Sequence, residues 1–144
     1  MIYKSIVAAY DGSETAEHAL KHAIQLAEKS PGCKLTVAYS KYRPPMNFPY
    51  YGIPSMAEIE AKLQEYDDAV LEKAQDMIKD LPDAAVKVFV GSPALSILEC
   101  ADESGADLIV IGSRGLGTFK GMMLGSVSSY VAQHAKVPVL IIKK

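Results

Sequence analysis

Short runs of β-branched and apolar residues alternate along this chain with longer stretches in which apolar positions recur three or four apart. Runs of the first kind suit strands buried on both faces, and stretches of the second suit amphipathic helices. The alternation therefore predicts a parallel sheet covered by helices. Strands are expected at residues 3–10, 34–40, 85–90, 107–111 and 137–142, and helices at residues 13–29, 55–81, 93–104 and 126–135. In the second helix Met56, Ile59, Leu63, Tyr66, Val70, Met77 and Leu81 form one apolar stripe. Ser92 before Pro93 reads as an N-cap followed by a first-turn proline, and Gly105 as a C-terminal stop. With no internal repeat or linker, residues 1–144 make one α/β domain.

Two stretches depart from the pattern. The segment "KYRPPMNFPYYGIP", residues 41–54, holds four of the eleven aromatics and four of the eight prolines. The prolines exclude a central strand or a helix, so it is a long βα loop, either a lid over a ligand or a surface packed on the domain or on a second subunit. The segment "GSRGLGTFKGMMLGS", residues 112–126, holds five of the ten glycines between an apolar strand and a helix. Glycine there serves a turn with positive φ or a backbone that something approaches closely. A glycine loop feeding a helix N-terminus offers free N–H groups and the positive end of the helix dipole to phosphate.

Two familiar phosphate motifs can be set aside. "GSRGLG" has the Walker glycine spacing but continues Thr118-Phe119 where a lysine and a hydroxyl residue belong. "GLGTFKG" places its last glycine one residue late for a dinucleotide fingerprint, and it follows the fourth strand rather than the first.

Charge narrows the partners. With 15 Lys+Arg against 17 Asp+Glu and a pI near 5.9, the chain lacks the basic footprint of a nucleic-acid binder. No apolar run reaches bilayer length and the N-terminus has no signal-peptide pattern, so a cytoplasmic protein without membrane contact is expected. Cys33 and Cys100 form no CxxC pair and suit a reducing compartment. His18 and His22 have metal-ligand spacing but lie opposite the apolar face of Ala16, Leu20, Ala23 and Ala27, which makes them a solvated pair. No Ser-His-Asp arrangement is legible, and Arg114 and Lys120 are the cations nearest the glycine segment.

One spacing fits without adjustment: Gly112, two residues, Gly115, nine residues, then Gly125-Ser126. Together with "IVAAYDGSE", "LTVAYS", "VGSPALSILECADESGADLIVIGSRG" and "GSVSSYVAQHAKVPVLIIKK", it resembles the ATP-binding subgroup of the universal stress protein family over nearly the whole chain. The resemblance implies a Rossmann-like open sheet of five parallel strands in the order 3-2-1-4-5, with helices on both faces. Ligands in such sheets bind outside the carboxyl ends of the strands where the order reverses, which would bring "YDGS" beside "GSRG".

The resemblance also implies roles for matched positions. Gly112, after Ile111, would lie under the ribose, and Gly115 beside the phosphates. Gly125, Ser126, Val127 and Ser128 would offer backbone N–H groups, and the two serines their hydroxyls, to phosphate oxygens. Ala9, Tyr10 and Asp11 would meet the adenine and ribose end, and Ser40 would meet the adenine through its backbone. Each phosphate hydrogen bond is worth about 1.5–3 kcal/mol, and micromolar affinity needs about 8.2 kcal/mol in all, so three or four bonds and a sandwiched base suffice without a Walker lysine. The expected ligand is ATP, with Mg2+ or Mn2+ carried on the phosphates and no protein metal site. The expected partner is a second copy, paired along the last strand from Val137 to Ile142.

Structural readings stand beside these. Ser126 is a good N-cap without any ligand, "DGS" is ordinary turn chemistry, and Gly117 and Gly121 lie outside the spacing. The leading expectation is a nucleotide-dependent stress-response switch. The alternatives are a slow ATPase, for which Asp11 is the only acid in the proposed loops, and a ligand-free homodimeric adaptor.

Overall fold

The computed structural model describes residues 3–41, 56–114 and 125–143. Nine elements alternate: β1 (Ser5–Tyr10), α1 (Glu14–Glu28), β2 (Lys34–Lys41), α2 (Met56–Ile78), β3 (Ala84–Val90), α3 (Pro93–Ser104), β4 (Leu108–Gly112), α4 (Ser126–His134) and β5 (Val139–Ile142). The strands form one parallel sheet in the order β3-β2-β1-β4-β5. The loop expected over residues 41–54 falls outside the described residues apart from Lys41, which ends β2.

β1 is buried at every position because it is central and covered on both faces. Ile6, Ala8 and Tyr10 face α1 and α2 and join Leu20, Leu35, Val37 and Val110 in one core. Val7 and Ala9 face the other way and join Ile97, Cys100, Ile109, Ile111 and Val131 beneath α3 and α4. A strand sandwiched between two cores must be apolar on both sides, which is why its run does not alternate. Cys33 and Cys100 are buried free thiols, and burial pushes the Cys100 thiol up to about 11.

The caps of α1 and α3 are made by residues within a turn of the helix ends. Ser13 caps α1, its Oγ accepting from Ala16 N at 3.2 Å. Ser92 caps α3 ahead of Pro93, and Gly105 closes α3 in the left-handed region at φ 62°. His18 and His22 are exposed on the outer face of α1.

The seam of α2 departs from expectation. Its buried positions are Asp67, Val70, Ala74 and Ile78, while Tyr66 is 42 % exposed and the helix stops at Ile78 rather than Leu81. Asp67 is tolerated inside because Tyr39 Oη donates to its Oδ1 at 2.6 Å. At the sheet edges, among the described residues, β5 pairs only with β4 and leaves Leu140 exposed. Among the described residues no helix is long and apolar enough to cross a membrane.

Candidate functional site

The strand order reverses between β1 and β4, and the carboxyl ends of these two strands open onto the first turns of α1 and α4. In the turn after β1, Asp11 Oδ1 accepts the Ser13 N–H at 2.9 Å, and the Asp11 carbonyl accepts the Tyr66 hydroxyl at 2.9 Å. The carboxylate thus shapes the turn that begins α1, and α2 braces the same turn from outside. Gly12 has φ 85°, a conformation that favours glycine, and Val70 and Tyr66 pack where its Cβ would stand.

Gly112 has a different reason to be bare. A Cβ there would lie 3.0 Å from the carbonyl carbon and oxygen of Thr15 and 3.1 Å from its Cβ. The side without a Cβ therefore receives the backbone of α1, and this close approach locks β4 to α1. The resemblance implies that Gly112 lies under a ribose, and the direction its Cβ would take is filled by Thr15, so a ribose would meet another side of this backbone.

Beyond β4, Ser113 takes its N–H back to the Ile142 carbonyl at 2.9 Å, while its own carbonyl accepts Gly125 N at 2.7 Å and Ser128 Oγ at 3.0 Å. The Arg114 carbonyl accepts the Thr15 hydroxyl. Gly125 begins α4 with no side chain capping it. The helix thus presents its first N–H groups without the side-chain acceptor that Ser13 and Ser92 supply to α1 and α3. Ser126 is exposed and Val127 half-buried.

The expected residues divide accordingly. Asp11, Gly112, Gly125, Ser126, Val127 and Ser128 all lie on the turns at this end of the sheet. Gly115 lies outside the described residues. Ala9, Tyr10 and Ile111 have buried side chains, so each can meet a ligand only through its backbone. The Ser128 hydroxyl, expected to face phosphate, is 2 % exposed and is held by the Ser113 and Gly125 carbonyls. Ser40 donates its hydroxyl to the Gly91 carbonyl at 2.9 Å, tying the ends of β2 and β3 together.

Sequence reasoning passed over Thr15, Ser113 and Tyr66. A hydroxyl in a first helical turn and a tyrosine on an apolar stripe give no signal of their long-range partners. Tyr10 adds another buried hydroxyl. Its Oη has no hydrogen-bond partner among the described residues, and burial, with the negative Glu17 and Asp11 nearby, pushes its pKa up to about 12.

A cleft of about 360 Å³ opens between the first turns of α3 and α4, lined by Ser92, Pro93, Ala94, Leu95, Ser126, Val127 and Tyr130. Its walls are mostly apolar, and the exposed Ser126 stands at one side. Among the described residues no group of three His, Cys, Asp or Glu side chains could hold a metal ion.

Comparison with known proteins gives consistent matches. The model of the universal stress protein family matches residues 2–143. A universal stress protein of Thermus aquaticus is 35% identical over 99% of this chain and 100% of its own length. Among solved structures, hypothetical protein MJ0577 of Methanocaldococcus jannaschii superposes with a TM-score of 0.84 at 28% identity, covering 100% of this chain and 98% of the other. A universal stress protein in complex with cAMP superposes at 0.73 with 30% identity over 99% and 98% of the chains. One from Archaeoglobus fulgidus in complex with dAMP superposes at 0.66 with 28% identity over 99% and 100%.

Proposed function

The chain belongs to the universal stress protein family, and from that premise we propose that it binds an adenine nucleotide where β1 and β4 end, with ATP as the physiological ligand. One observation carries the reading: the N-terminus of α4, whose N-cap Gly125 has no side chain to cap it, lies against the residues that follow β4, at the reversal point of the sheet. Backbone N–H groups of Ser126, Val127 and Ser128, with the Ser126 hydroxyl, take the phosphates. Gly115 is assigned to the phosphates by its spacing alone. The Asp11 turn takes the ribose, and backbone at Ala9, Tyr10, Ser40 and Ile111 borders the base.

The structures of relatives with cAMP and dAMP support an adenine nucleotide. A divalent cation on this reading arrives with the phosphates, since no cluster among the described residues would hold one alone. The bound state serves as a switch in a stress response, and two copies pair through the β5 edge in the cytoplasm.

The test is mass spectrometry of the nucleotide that co-purifies with the native protein, followed by calorimetric titration of ATP, AMP and cAMP with and without magnesium. Micromolar binding of at least one is expected. Absence of binding to all three would return the glycines to turn chemistry and leave the adaptor as the better account.

A further inference from the structure

The turn after β1 is gripped by α2 at two points. Tyr66 Oη donates to the Asp11 carbonyl at 2.9 Å. The same oxygen at 3.2 Å, and Val70 Cγ2 at 3.0 Å, stand where a Cβ on Gly12 would go, so α2 covers that side of the Gly12 α-carbon. Burial, with Asp11 and Asp67 nearby, raises the Tyr66 pKa, so the hydroxyl keeps the proton that makes this bond. Within the turn, Ser13 N donates to Asp11 Oδ1 at 2.9 Å, and Ser13 Oγ accepts from Ala16 N at 3.2 Å. The Gly12 N–H has no hydrogen-bond partner among the described residues.

A trans peptide unit is planar, with its C=O and N–H pointing in opposite directions. The structure has no cis peptide bond. The Asp11 carbonyl and the Gly12 N–H belong to one such unit, so drawing the carbonyl to Tyr66 turns the N–H away from α2. That helix packs on β2 and β3, whereas β4, with the start of α4 bonded to Ser113 beyond it, lies on the other side of β1. Away from α2 is therefore toward the place where the strand order reverses. We infer that Tyr66 is a positioning residue for nucleotide binding: its hydroxyl fixes the peptide unit whose N–H, at Gly12, donates to a ribose hydroxyl oxygen of the bound nucleotide. The inference rests on the nucleotide reading above, and adds to it a residue of α2, outside the glycine pattern, that governs the ribose without touching it.

The test compares wild type with Tyr66→Phe, which keeps the ring and removes the hydroxyl at a position that is 42 % exposed. Calorimetric affinities for AMP, 2′-deoxy-AMP and 3′-deoxy-AMP are the readout, with circular dichroism confirming the fold. Wild type is expected to bind AMP about fivefold more tightly than at least one of the deoxy analogues, in line with one hydrogen bond. Tyr66→Phe should lose about that factor for AMP and leave that analogue unchanged, so that the gap between them closes. Equal losses for all three ligands would make Tyr66 a general structural residue and overturn the inference, as would unchanged AMP affinity. If Tyr66→Phe does not fold, hydrogen exchange at the Gly12 amide of wild type, followed by NMR, decides. Saturating AMP should slow it and the discriminated analogue should not, and equal protection or none overturns the inference. Wild type that binds AMP and both analogues alike overturns the inference and leaves the nucleotide reading standing, whereas wild type that binds none of the three overturns both.

Discussion

Gly112→Ala isolates the packing role of the glycine that ends β4. The added Cβ would stand 3.0 Å from both the carbonyl carbon and the carbonyl oxygen of Thr15. Real carbon contacts sit at about 3.5–4.0 Å, and these atoms are helical backbone, so no rotamer change relieves the overlap. Either β4 or the first turn of α1 must move by several tenths of an ångström. β4 is pinned between β1 and β5, and the first turn of α1 is held by the Ser13 cap and by Thr15 on Arg114. Inserting a methyl group into such a contact costs about 1–3 kcal/mol. For a domain of this size that is a fall in Tm of roughly 2–12 °C. Gly125→Ala is the comparison, because its Cβ would lie 3.2 Å from the Ser113 carbonyl, a milder overlap at a φ of −63° that suits alanine, so a smaller loss is expected there. Urea and thermal unfolding of the ligand-free protein measure both. A Gly112→Ala variant within about 0.5 kcal/mol of wild type, the range of neutral surface changes, would refute the account of why this position is bare.

Other substitutions test separate parts of the structure. Tyr10→Phe removes a buried hydroxyl without a partner among the described residues, so it is expected to raise stability by about 1 kcal/mol in denaturant titration; a loss would mean the hydroxyl is satisfied in solution. Partial burial raises the Asp107 carboxyl, but the N–H groups of Lys4 and Ser5 that donate to it outweigh this and hold it below its ordinary value. A lowered folded pKa means stability that is present above the unfolded value of about 3.9 and is lost as pH falls through the folded one. Asp107→Asn should therefore flatten the acid limb of the stability profile below that pH, and an unchanged limb would contradict the assignment. Cys33 and Cys100 are buried, with thiols raised above their ordinary value. Neither should react with iodoacetamide at pH 8 until the protein is unfolded, as counted by intact mass.

The alternation of elements was legible because a parallel strand covered on both faces must be largely apolar through its middle, as Ile6–Tyr10, Leu35–Tyr39 with Thr36 its one polar residue, and Leu108–Gly112 are. Caps at Ser92 and Gly105 were equally legible, since each acts on backbone within a turn of itself. What escaped the sequence depends on partners far along the chain. Asp67 is in the seam of α2 because Tyr39 meets it from β2, 28 residues away. Gly112 is pressed by Thr15, and Ser128 turns its hydroxyl inward to Ser113. A spaced glycine and a serine at a helix start look the same whether ligand or protein fills the space beside them. The motif therefore marks a candidate site while leaving open which of its atoms face outward.

That division bears on how such a site would handle charge. Residues 11–13, 112–114 and 125–128 contribute Arg114 as their single cation, with Asp11 opposing it. The remaining donors are neutral N–H and hydroxyl groups, strengthened by the partial positive charge, about half a unit, at the start of α4. Such a set suits a monophosphate, the form carried by the cAMP and dAMP complexes of relatives. A triphosphate brings several more negative charges to a chain whose net charge is already −2. Neutral donors hydrogen-bond those oxygens but do little to relieve their mutual repulsion, so on the ATP reading a divalent cation supplies the missing charge from the ligand side. The dependence of affinity on magnesium, compared between ATP and AMP, therefore says more about the physiological ligand than the affinity for either alone.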